Sequence, residues 1–203
     1  MFTLIKRHWL TAIACLLGTA VVAGIWYWAW WAGSRPPVNY VAPHFTVVNK
    51  DGQSTDFFKL SGKVRVVYFF KSDPSSIEDM INLQEKLKEK ELFGNAALLI
   101  PVPLNEDITP ALVSEYGFKA DLSGWWFLSP KENPYTIASR FFLKGVNHSD
   151  KILTTDPIIV EVDRNNWVRR VINGHFAGNA TDVEEGTHSK ENLMRDIEIM
   201  AQE

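Results

Sequence analysis

The thiols are the first residues to test for chemistry, and this 203-residue chain holds one, Cys15. It lies in an apolar N-terminal stretch, where it reads as a small membrane-facing side chain. Disulfide exchange needs a thiolate that attacks a second sulfur, so the rest of the chain cannot carry thiol redox chemistry. His44, His148, His175 and His188 show no pair at the i, i+4 spacing by which two histidines on a helix grip a metal. Ser72, Ser75 and Ser76 cluster, but no G-x-S-x-G elbow surrounds them. Gly174-His175-Phe176-Ala177-Gly178 follows a strand pattern without opening a clear helix, so it is no phosphate cradle. The run Asp182-Val183-Glu184-Glu185 reads as a solvated loop. No catalytic constellation emerges, and neither an enzyme nor a cofactor is expected.

The elements that would position any site fall into two parts. Trp9 to Gly33 carries no charge and as a helix would span roughly 37 Å, enough to cross a bilayer core with some tilt. Its aromatic end, with Trp28, Trp30 and Trp31, suits a membrane interface. Lys6 and Arg7 precede it and only Arg35 closely follows, which predicts a cytoplasmic N-terminus. The expected organisation is a cytoplasmic segment (1–8), a transmembrane helix (9–33), a Pro-stiffened linker (34–43) and an extracytoplasmic domain (44–203) on the periplasmic side of the cell membrane. From residue 36 onward the chain carries 18 basic and 24 acidic side chains, a formal charge of −6. That balance argues against a nucleic-acid surface.

Within the domain, 45–48, 64–70, 96–102, 125–128, 158–162 and 167–172 read as strands. Asp51-Gly52 and Asn165-Asn166 mark turns between them. Ile77, Met80, Leu83 and Leu87 recur at helical spacing. Thr109-Pro110 opens a further helix through Leu112 and Tyr116, 134–143 has helical character, and Ser189 can cap a last helix carrying Leu193, Ile197 and Met200. Strands alternating with helices predict an α/β domain, a mixed sheet with helices on both faces.

Four stretches carry a resemblance to the Sco (SenC/PrrC-like) family. They are Phe45-Thr46-Val47-Val48-Asn49-Lys50-Asp51-Gly52, Gly62-Lys63-Val64 through Phe70, Pro103-Leu104-Asn105-Glu106-Asp107-Ile108-Thr109-Pro110 with Leu112 and Tyr116, and Asp121-Leu122-Ser123-Gly124-Trp125-Trp126-Phe127-Leu128. The resemblance implies a membrane-anchored thioredoxin-like fold that helps to assemble the copper centre of cytochrome c oxidase. Proteins of that family hold copper with a Cys-x-x-x-Cys pair after the central strand and a distant His. The matching positions here are Asp73, Ile77 and Thr155. Soft thiolates suit Cu(I); a carboxylate and an isoleucine do not.

The same resemblance makes Pro157 a candidate cis-proline, the alternative being a trans-Pro that opens a strand. If the loop at Asp73 faces Pro157, Asp73 and Asp156 with His148 could hold a hard or borderline cation; alternatively Asp73 caps the helix that follows and Asp156 is a turn residue. Trp125 and Trp126 should point to opposite faces of a strand. Trp125 is expected in the core, whereas Trp126 is either core or, with Trp28, Trp30 and Trp31, an anchor for a partner. The expectation is a non-redox Sco-like accessory subunit, scaffold or assembly factor for a respiratory oxidase complex. The alternative is a metal-handling protein with a rebuilt carboxylate/His site.

Overall fold

The computed structural model describes residues 13–14, 16–27, 39–70, 74–104, 121–142, 157–173 and 190–203. The chain divides into two compact units, Met1–Pro36 and Pro37–Glu203. In the first, 16–27 are helical, and Leu16, Leu17, Val21, Val22, Ile25 and Trp26 are all exposed. Among the described residues no helix is long and apolar enough to cross a membrane. Trp28, Trp30 and Trp31 lie outside the described residues.

The second unit contains β1 (Tyr40–Val41), β2 (Thr46–Val48), β3 (Ser54–Asp56), β4 (Val64–Phe70), β5 (Ala97–Pro103), β6 (Phe127–Leu128), β7 (Ile158–Val162) and β8 (Trp167–Asn173). Its helices are α1 (Pro74–Glu89), α2 (Pro134–Phe142) and α3 (Lys190–Gln202). A five-stranded mixed sheet runs β1-β8-β7-β4-β5, and a three-stranded sheet runs β3-β2-β6. β4 is parallel to β5 and antiparallel to β7. The two sheets are joined at Trp125, which bridges Leu99, while the Trp126 N–H donates to the Leu99 carbonyl at 2.9 Å. The expected strand at 125–128 therefore begins only at Phe127, because a 3-10 turn over Leu122–Gly124 occupies the approach.

Every residue of β4 is buried, as an apolar strand covered on both faces requires. Val64, Val66, Tyr68 and Phe70 face one core with Met80, Leu83 and Leu87 of α1 and Leu193, Ile197 and Met200 of α3. Val67 and Phe69 face a second core with Ile137, Ala138 and Phe141 of α2 and with Phe45, Val47 and Phe57. Helices thus cover both faces. Trp125 lies in the first core and Trp126 packs, half-buried, against the second, the opposite placement expected of neighbours on an extended chain.

Arg65, also wholly buried on β4, looks out of place in this run. Its guanidinium donates to the Asp163 carbonyl and, at 2.6 Å, to Asn166 Oδ1, and lies 4.9 Å from the Phe57 ring centroid. Burial lowers its pKa to about 10, against a smaller opposing pull from Asp163, so it stays charged at neutral pH.

Candidate functional site

The site to test lies at the C-terminal end of β4, where the resemblance places the loop before α1. Phe70 pairs with Pro103 of β5, and its carbonyl accepts from the Leu104 N–H at 2.8 Å. On the other side Phe69 pairs with Ile158, which puts Pro157, buried, at the same end of the sheet. β4 and β7 therefore bring Phe70 and Pro157 to the same end of the sheet. Asp73, His148, Thr155 and Asp156 lie outside the described residues, and with them the Asp156–Pro157 peptide bond.

Ile77 is described. It is 2% exposed and belongs to the core cluster formed by α1, α3 and β4. An aliphatic side chain there offers no lone pair to a metal and no nucleophile to a substrate.

A buried polar pair lies just beneath. The Tyr68 hydroxyl donates to Asp79 Oδ2 at 3.2 Å, and both residues are almost fully buried. Buried polar groups need such partners. Further along α1, Gln84 Oε1 accepts from Trp125 Nε1 at 2.7 Å and from the Asp121 N–H at 3.1 Å. The backbone N–H and hydroxyl of Ser123, with Lys88 3.4 Å away, hold the Asp121 carboxyl below its ordinary range. These contacts fix α1, and hence Ile77, against the sheet.

The sequence reading tested Ser76 only as a nucleophile and passed over Asp79 and Gln84; all three are buried polar residues of α1. The available signal was their spacing: each falls on the helix face that carries Met80, Leu83 and Leu87. A second overlooked group, Glu161, Arg169, Arg170 and Asp196, lies between β7, β8 and α3.

Among the described residues no three His, Cys, Asp or Glu side chains are grouped to hold a metal ion. His44 Nδ1 sits 3.3 Å from the Asp56 carboxylate and its ring stacks on Phe58 at 3.7 Å, an exposed arrangement.

No protein-family model matches the chain. No curated protein matches it either. Solved structures do match. BsSco, described as a member of the Sco family of cytochrome c oxidase assembly proteins with a disulfide switch, aligns with a TM-score of 0.60 at 21% identity, covering 83% of this chain and 97% of that one. A SCO1/SenC family lipoprotein from Bacillus anthracis gives 0.55 at 20% identity over 82% and 98%. A thioredoxin-family thiol:disulfide interchange protein from Chlorobium tepidum gives 0.51 at 18% identity over 82% and 97%. The chain thus has the thioredoxin-like fold, and its structural neighbours include Sco/SenC family proteins.

Proposed function

We propose that this thioredoxin-like chain is a membrane-anchored, non-redox counterpart of the Sco proteins, serving a respiratory cytochrome oxidase as accessory subunit, scaffold or assembly factor. One observation carries the reading. The fold is kept, while the position matched to the second family cysteine is Ile77, packed into the core, in a chain whose only cysteine is Cys15. What such a fold retains is surface and attachment, not thiol chemistry.

Three further points support it. BsSco, similar over most of both chains, is itself described as belonging to a family of oxidase assembly proteins. The uncharged stretch Trp9 to Gly33 is long enough as a full helix to span a bilayer. A tether of that kind raises the local concentration of a weakly binding domain at a membrane partner.

The test is recovery of the tagged full-length chain from mildly solubilised membranes of its own cells, with mass spectrometry of what accompanies it. Enrichment of oxidase subunits or oxidase assembly proteins is expected. A chain that recovers none of them while staying folded contradicts the proposal. Trp126→Ala separates fold from contact: loss of the partner with unchanged thermal stability makes the half-buried indole an anchor, and unchanged recovery makes it only a packing residue.

A further inference from the structure

The most unusual charge arrangement in the domain lies away from the β4 end. Glu161, on β7, is 0% exposed, and neither carboxylate oxygen has a hydrogen-bond partner. Asp196 of α3, also 0% exposed, is the acid that acts on it. β8 supplies Arg170, the residue paired with Glu161, and Arg169, while β4 sets uncharged Val66 opposite. No charge on α1 acts on Glu161.

The arginines are already engaged. Arg170 Nη1 lies 2.9 Å from Asp196 Oδ2. Arg169 Nη1 bonds Asp163 at 2.9 Å and Glu203 at 2.8 Å. Arg195, mostly exposed, reaches Asp196 only at 3.9 Å. Two arginines thus serve three other carboxylates, which leaves an ionised Glu161 without a counter-charge of its own. A buried carboxyl in that position takes up a proton instead.

The same layer holds α3 in place. Its apolar grip is Leu193, Ile197 and Met200. Its polar ties are Arg170–Asp196, Arg169–Glu203 and the Arg164 Nη1 donation to the Ala201 carbonyl at 3.2 Å. We infer that Glu161 is a proton-governed latch: α3 is docked on the sheet while Glu161 is a neutral acid, and ionisation of Glu161 loosens the helix.

The direction is consistent with the electrostatics. Burial first, then Asp196, raises the Glu161 pKa from 4.5 to about 8, against the opposing pull of Arg170 and Arg169. The docked state therefore holds more protons than the open state between those values. Its contribution to docking is complete below about pH 4.5, is lost as pH rises, and has gone above about 8.

Hydrogen exchange on the full-length chain in detergent tests this, read over 190–203 from pH 5 to 9 with intrinsic rates divided out. The fraction open at α3 should rise, by up to about tenfold per pH unit, and level off near pH 8. Residues of β4 should show a weaker response. Glu161→Gln or the apolar Glu161→Met should flatten the α3 profile. A flat wild-type profile, or a variant that keeps the wild-type slope, overturns the latch. If neither variant folds, infrared difference spectra of the wild type between pH 6 and 9 decide. Deprotonation of one buried carboxylic acid supports it, and its absence overturns it.

Discussion

Tyr68 and Asp79 show how a single side chain settles local order. The tyrosine hydroxyl is one of the partners of an almost fully buried carboxyl group, so Tyr68→Phe should destabilise the domain by about 1–3 kcal/mol. Chemical unfolding at neutral pH measures this; a change below about 0.5 kcal/mol would mean that Asp79 is satisfied without it. Gly124 is constrained differently. A Cβ there would stand 2.7 Å from the Phe93 ring and 3.0 Å from the Gly94 nitrogen. Gly124→Ala should cost about 1–3 kcal/mol, read as a lowered unfolding midpoint. At this scale the sequence is legible where residue type and spacing agree. Trp125 is core, as expected. Buried Arg65 was not legible, because its partners Asp163 and Asn166 lie about a hundred positions away.

Among elements, α1 ends in a way that invites a test. Leu92 N–H reaches back to the Leu87 carbonyl at 2.9 Å, and Glu91 N–H to Lys88 at 2.9 Å, with Glu91 at a φ of +58°. Glycine is the residue favoured at that left-handed position. Glu91→Gly should therefore stabilise the domain by about 0.5–1 kcal/mol, seen as a raised thermal midpoint; a lowered one would show that the Glu side chain matters more than its backbone. Helix α3 offers the reverse test. Ile197 is wholly buried against the first core, and Ile197→Ala should cost about 2–5 kcal/mol. Strands β4 and β7 coincide with their sequence expectations because each is β-rich and apolar but for one residue, Arg65 and Glu161 respectively, with turn residues after it. The two-residue β1 was not expected: only pairing with Trp167 and Val168 of β8 makes it a strand, and such pairing has no local signature. The helix expected from Thr109 and the cap expected at Ser189 lie outside the described residues.

At the scale of the whole molecule, the mixed sheet with helices on both faces was legible from the alternation of strand and helix patterns. The separate sheet β3-β2-β6 was not, since β6 joins the β2–β3 hairpin from about eighty residues further along the chain. The family resemblance carried by four short stretches agrees with the Sco/SenC structures among the neighbours. In the proposed reading, what distinguishes the chain from the copper-binding pattern is chemical: that reading puts Asp73, Ile77 and Thr155 at the three ligand positions. The most direct measurement is anaerobic titration of the full-length chain in detergent with Cu(I) and Cu(II), with the metal-to-protein ratio read after desalting. No copper should be retained; one tightly held copper per chain would mean that carboxylate and imidazole groups have rebuilt a metal site on this fold.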